Sequence, residues 1–174
     1  NNATLTHSAS ASTNPLIQVN SANNIINLNN AQLKGNIVSE TNSYNLNFSG
    51  SNVVVDGTVD KANATLNNAL TTLTFNTDTF SNATLSAVNG FINLQNSAIE
   101  NYNIGTLTSS ADTLYNIDVD AYNKTADKIT AGAGSDGTVT INSINFLNGI
   151  NPQDKTFSVQ ILDTSSTLKL ALSN

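Results

Sequence analysis

The chain has 174 residues, of which 39% are apolar and only 10% charged, and it carries a net charge of −6 from ten Asp and two Glu against six Lys. Arg, Trp, Cys and Met are absent. An acidic chain without Arg lacks the basic footprint of a nucleic-acid binder, the missing Cys excludes a disulfide framework and thiolate chemistry, and no 18-residue apolar run offers a membrane-spanning helix.

Asn, Thr and Ser number 31, 22 and 19. Uncharged polar chains are often disordered, but disorder requires too few Ile, Leu, Val and Phe to offset chain entropy. Here those residues recur in short clusters along the whole chain and alternate with polar ones, which is a strand pattern. In chain order the predicted strands are 16–19, 25–28, 44–48, 53–55, 73–75, 91–94, 114–119, 138–141, 156–162 and 167–172. Their inward residues are Ile26, Leu28, Leu46, Phe48, Val53, Val55, Leu66, Leu73, Phe75, Leu85, Ile92 and Leu94. Between them lie Gly- and Asn-rich corners such as 49–52 and 88–90, residues that tolerate the left-handed conformation of tight turns.

A repeat organises these strands. Asn-Ala-Thr-Leu occurs at 2–5, 63–66 and 82–85. The stretch 25–31 resembles 91–97, with a third relative at 44–48. The implied period is 19 to 22 residues. Leucine-rich repeats share that length but need a Leu-x-x-Leu-x-Leu frame that is missing here. Asn, Thr and Ser disfavour helical repeats. The expected fold is therefore all-β, a single-stranded parallel β-helix (solenoid) whose coils stack about 4.8 Å apart. At about 20 residues a coil, eight or nine coils would make a rod roughly 40 Å long. Asn stacked on Asn would hydrogen-bond along that rod, whereas stacked charges would repel.

The texture changes after Gly105. Gly105-Thr106-Leu107 leads into 114–120, which reads Leu-Tyr-Asn-Ile-Asp-Val-Asp. Ala126-Asp127-Lys128-Ile129 follows, then Gly137-Thr138-Val139-Thr140-Ile141, and an apolar strand ending on Asp163-Thr164. In the order of these blocks, residues 105–174 resemble the C-terminal part of bacterial autotransporter passengers, the pertactin-like β-helix. Residues 1–104 match only as Asn-rich coils. The resemblance implies a right-handed β-helix over a single domain, 1–174, with a stable C-terminal core at 105–174. It also implies display on a Gram-negative cell surface through a β-barrel outside this chain. The chain opens on Asn1 without a leader pattern, as a mature product or an excised fragment would.

Chemistry is thinly spread. His7 has no Ser and Asp partners in a triad pattern, and no nucleophile elbow or phosphate loop occurs. Acids gather twice: Asp56 and Asp60 with Lys61, and Asp118, Asp120 and Asp127 with Lys128. The second group has oxygens for calcium, but no Gly-bearing ligand loop surrounds it, so its members read as solvated carboxylates flanking turns. The Asp56-Gly57 and Asp136-Gly137 pairs read as turns. Sequons at Asn2, Asn47, Asn63, Asn82 and Asn123 are no more than this composition gives by chance. Thr72/Thr74, Thr77/Thr79 and Thr138/Thr140 are too scattered for an ice-binding face. No catalytic, cofactor or metal residue is expected. The expected function is a non-enzymatic surface shaft or adhesin, meeting a host protein, a host glycan or another copy of itself. The alternative is a carbohydrate-active β-helix, of the lyase or tail-spike kind, which needs paired carboxylates in a cleft.

Overall fold

The computed structural model describes residues 3–6, 15–150, 156–164 and 167–173. These form sixteen strands and no helix. In chain order the strands are β1 Ala3–Thr6, β2 Ile17–Val19, β3 Ile25–Asn29, β4 Ala31–Lys34, β5 Ile37–Ser39, β6 Tyr44–Ser49, β7 Asn52–Asp56 and β8 Ala62–Phe75. They continue with β9 Phe80–Asn93, β10 Asn101–Ser109, β11 Thr113–Asp120, β12 Thr125–Ala126, β13 Lys128–Ala131, β14 Asp136–Asn148, β15 Leu162–Thr164 and β16 Lys169–Leu172.

Pairing is parallel except between β11 and β12. One ladder runs β3, β6, the first part of β8, the first part of β9, β10, β13, β15. A second runs β1, β4, β7, the rest of β8, the rest of β9, β11, β14, β16, and is therefore eight strands deep. A third, short ladder joins β2 to β5, with Val59 bridged to Ile37. β8 and β9 are long enough to serve the first two ladders at once. The turn of β9 carries Gly90 at φ +129°, where a Cβ would come within 2.8 Å of the Asn68 carbonyl oxygen. Residues 88–90, expected as a turn between strands, thus bend a continuous strand.

The offset between partners starts near the predicted period. Ile25 pairs Asn45, Asn45 pairs Asn63, and Asn63 pairs Thr84. It then lengthens: Asn101 pairs Lys128, Thr138 pairs Lys169, and Ile129 pairs Leu162. The added residues lie in loops such as 121–124, outside the ladders.

Side chains of one parity fill the interior. Leu33, Val55 and Phe75 follow one another in register, and the row continues through Leu94 and Ile117, all buried. Phe80 packs edge-on to Phe75 (centroids 4.9 Å apart) and to Phe48 (6.2 Å), and Tyr102 packs edge-on to Phe75 (5.8 Å). Ten of the twelve predicted inward residues are buried, while Ile26 and Leu28 are partly buried against the same core. Of the predicted strands, 156–162 departs most: only Leu162 joins a strand. Phe157, Val159 and Ile161 still pack on the core, so the alternation there reflects burial without a ladder.

Candidate functional site

Among the described residues, the second acidic group brings several ionisable side chains close together. β11 presents Asp118 and Asp120 on one face, and Asp127 stands between β12 and β13. The antiparallel β11–β12 pairing brings Asp127 back onto β11. Asp118 and Asp127 are fully buried and Asp120 nearly so. The expectation of solvated carboxylates is therefore corrected: the loop 121–124 folds β12 over them.

Each carboxylate is occupied by donors. Asp118 accepts from the Asn96 and Ser97 backbone N–H groups at 2.8 and 2.7 Å, and from Asn145 Nδ2 at 2.6 Å. Asp127 accepts from the backbone N–H of Glu100 (3.0 Å) and of Asp118 (2.8 Å). Asp120 accepts from the backbone N–H of Asn123 at 2.9 Å, from its Nδ2 at 2.7 Å and from Asn148 Nδ2 at 2.8 Å. Beside them, Tyr102 Oη lies 3.0 Å from the Leu94 carbonyl and 3.1 Å from Glu100 Oε2. Asn96 Nδ2 also donates to Glu100. Lys128 points away, to Asp163 at 3.5 Å, both partly exposed, where an ion pair adds little.

The electrostatics follow from these contacts. Burial pushes the Asp127 carboxyl up to about 6, against the pull of its two backbone donors, with the Asp118 and Glu100 charges adding to the rise. The Asn123 backbone and side chain hold Asp120 below the usual carboxylate range. Burial first, then the Asp127 charge, pushes the Tyr102 phenol above its ordinary range. Carboxylates saturated by fixed donors act as corner ties: they satisfy amide groups that loops leave without strand partners. Among the described residues, no three His, Cys, Asp or Glu side chains gather as metal ligands do.

The first acidic group is not brought together. Asp56 accepts from Asn76 Nδ2 at 2.6 Å, whereas Lys61 donates to the Glu40 carbonyl. The Asp60 charge lies near Tyr44, whose buried hydroxyl has no hydrogen-bond partner among the described residues. Thr79 and Thr140 turn inward onto Asn76 N–H and the Ala111 carbonyl, so the threonine pairs form no common face. Sequon residues Asn63, Asn82 and Asn123 are exposed, and Asn47 donates to Asn27 at 2.9 Å. His7 and Asn2 lie outside the described residues.

Asparagine ladders exist, but mostly in mixed form. Asn47 on Asn27 and Asn142 on Asn116 pair like with like. Asn76 on Asp56, Asn103 on Asp78, Asn145 on Asp118 and Asn148 on Asp120 place an amide over a carboxylate. Charges thus meet amides instead of each other. Sequence reasoning missed Asn145 and Asn148 because they sit 27 and 28 residues beyond their partners, not one 20-residue period. The Asp-x-Asp and Asn-x-x-Asn spacings, at 118–120 and 145–148, were the available signal.

A shallow trough crosses the outer face of the first ladder. Its floor is small because Gly105 and Gly132 stack: a Cβ on Gly132 would sit 2.3 Å from the Gly105 carbonyl oxygen. Its walls are Asn63, Asn82, Thr106, Asn103 and Thr130, with Lys61 the one base and Asp163 the one acid among the lining residues described. Comparison with protein-family models, with curated proteins and with solved structures yields no match for this chain.

Proposed function

We propose that this chain is a right-handed parallel β-helix, a non-enzymatic shaft or adhesin segment displayed outside a bacterial cell in the manner of an autotransporter passenger. The observation that carries the shaft reading is the use of the acids. The buried ones are spent on backbone and amide donors, and Asp56 and Asp78 bind asparagines of the neighbouring strand. A glycan-cleaving site needs two carboxyls facing one another across room for substrate, and the trough offers Asp163 alone. Three parallel ladders sharing one interior support the β-helix. The period near 20 and the block order of residues 105–174 support the passenger reading. Its partner would be a host protein, a glycan or a second copy. A glycan would lie along the Asn- and Thr-walled trough, held mainly by amide and hydroxyl hydrogen bonds between Lys61 and Asp163.

Solution scattering tests the architecture. A rod of constant cross-section, with a β-dominated circular dichroism spectrum, is expected. A near-spherical particle would overturn it. Binding of the purified chain to arrayed neutral glycans and to host cells tests the adhesin reading. Glycan cleavage would replace it with the carbohydrate-active alternative.

A further inference from the structure

The trough on the first ladder is built from one short pattern repeated on successive coils. Ser43 and Asn45 flank Tyr44, Lys61 and Asn63 flank Ala62, and Asn82 and Thr84 flank Ala83. On the next coil Thr106 follows Gly105. Tyr44, Ala62 and Ala83 are buried, while the residues that flank them are exposed or half-exposed. Pairing aligns the pattern: Asn45 meets Asn63, Asn63 meets Thr84, and Thr84 meets Thr106. These rungs lie in the middle of the ladder, with β3 before them and β13 after them, so their exposure does not come from an end of the chain. Strands stacked about 4.8 Å apart place one such polar group at every step along the rod.

The side chains of this row are unspent. Asn76 is tied to Asp56 and Asn103 to Asp78, but Asn45, Asn63, Asn82, Thr84 and Thr106 make no side-chain hydrogen bond among the described residues. Both charges of the trough are taken, since Lys61 donates to the Glu40 carbonyl and Asp163 pairs with Lys128. The outer face of the second ladder has no comparable row: Val54, Phe91 and Leu114 stand in register among its polar residues. What the trough offers is a line of neutral donors and acceptors with the period of the coils. A charged polymer gains no partner there. An extended peptide falls out of step, because its side chains recur on one face only every 6.6–6.8 Å or about that. A pyranose unit in a straight, equatorially linked chain is about as long as the strand spacing, so successive units meet successive coils in the same way. No aromatic ring is among the lining residues described, so recognition rests on hydrogen bonds that accumulate with length and not on stacking.

We propose that the trough takes a linear, uncharged glycan of the cellulose type, laid along the rod with one sugar unit per coil. This rests on the adhesin reading of the same trough and names its ligand. The whole chain is titrated calorimetrically with cello-oligosaccharides, from the disaccharide to the hexasaccharide. Affinity is expected to rise with each unit and to level off at about the tetrasaccharide, one unit for each coil that carries Asn45, Asn63, Thr84 or Thr106. Malto-oligosaccharides of the same lengths, whose linkage curls the chain out of step, should bind about tenfold more weakly or not at all. The double variant Asn63→Ala/Thr84→Val strips the two central rungs and changes no buried residue. It should keep the circular dichroism spectrum of the parent and weaken the tetrasaccharide about tenfold or more, as the loss of two neutral hydrogen bonds does. Thr74→Val, on the outer face of the second ladder, should leave binding unchanged. Affinity that ignores length, fails to separate the two series or survives the double variant overturns the proposal. So does the absence of cello-oligosaccharide binding; if the chain still binds host cells or other arrayed glycans, the adhesin reading stands without this ligand. A chain that binds neither cells nor any glycan overturns that reading as well.

Discussion

Asp118→Asn is the sharpest probe of the corner ties. The change keeps size and shape but replaces an acceptor-only carboxylate by a group with one acceptor oxygen. Three donors converge on Asp118, at 2.8, 2.7 and 2.6 Å. The amide can serve the two backbone N–H groups or Asn145 Nδ2, and its own Nδ2 then faces a donor. Hydrogen bonds to a charged group contribute about 1.5–3 kcal/mol each, neutral ones about 0.5–1.5 kcal/mol. Asn96, Ser97 and Asn145 belong to exposed residues, so water partly relieves the donors left over. That places the cost near the low end, about 2 kcal/mol for Asn and roughly 3–4 kcal/mol for Ala. For a chain of this size about 2 kcal/mol lowers the melting temperature by roughly 4–8 °C. Denaturant melts followed by circular dichroism give the total. Amide exchange gives the place: protection at Asn96 and Ser97 should fall while the middle of β8 keeps its own. Asp118→Asn within about 0.5 kcal/mol of the parent, the range of an ordinary surface change, would refute the tie.

Three further outcomes are expected. Gly137→Ala should be among the most damaging single changes, because Gly137 sits at φ +109° and a Cβ there would lie 1.9 Å from the Ser109 carbonyl oxygen; a loss below about 1 kcal/mol in urea melts would count against the close pairing of β10 with β14. Tyr44→Phe removes a buried hydroxyl that has no partner among the described residues, so stability should hold or rise by about 1 kcal/mol, and a clear loss would reveal a hidden partner. Asp127 has its carboxyl raised to about 6 in the fold, above its unfolded value, so its ionised form weighs against folding near neutrality. As pH falls from 7 towards 4 the native state takes up a proton that the unfolded chain does not. Stability should then rise by on the order of 1–3 kcal/mol, and Asp127→Asn should abolish that rise. Asp120 and Asp136 are shifted the other way and withdraw their contribution only at lower pH. A wild-type midpoint that falls between pH 7 and 5 would contradict the burial of Asp127.

Alternation made the interior legible, because a residue's parity in a strand decides which side it faces. Leu46, Phe48, Val53, Val55, Leu73 and Phe75 needed no other information. The ladders were legible where the repeat stayed near 20, as between β3 and β6. Tyr102 and Tyr115 were not expected in the core, since a phenol needs a buried partner to go there. Tyr115 finds Ser109 Oγ at 2.9 Å and Tyr102 finds the Leu94 carbonyl, partners six and eight residues back that face the rings only after the chain has turned a corner. The acidic corner was misread for a related reason. Asp118, Asp120 and Asp127 look like turn carboxylates in a window of ten residues. Their burial depends on β12 folding back across β11 and on donors from residues 96, 97 and 145 that no local window contains.

The low charge of the chain takes on a different meaning once the mixed ladders are seen. A solenoid of identical coils would stack Asp on Asp about 5 Å apart, and one carboxyl of each pair would have to hold a proton. Asn103 over Asp78, or Asn145 over Asp118, removes that repulsion and adds a charge-assisted bond. Each such pair also fixes a direction, since Asp cannot donate. An Asn–Asn ladder reads the same upward and downward after its amides flip, whereas an Asn–Asp ladder does not. Charge is thus kept at the sites where it orients the stack, and an asparagine exchanged with its aspartate partner (Asn145→Asp with Asp118→Asn) should restore stability only in part. In the exchange the amide oxygen at position 118 can still accept the Asn96 and Ser97 N–H groups while its Nδ2 donates to the new carboxylate, but those two N–H bonds become neutral and the charge moves to exposed position 145. Recovery of parental stability in that double variant, measured as a coupling energy across the four-membered cycle, would mean that the pair contributes only its mutual bond and carries no direction.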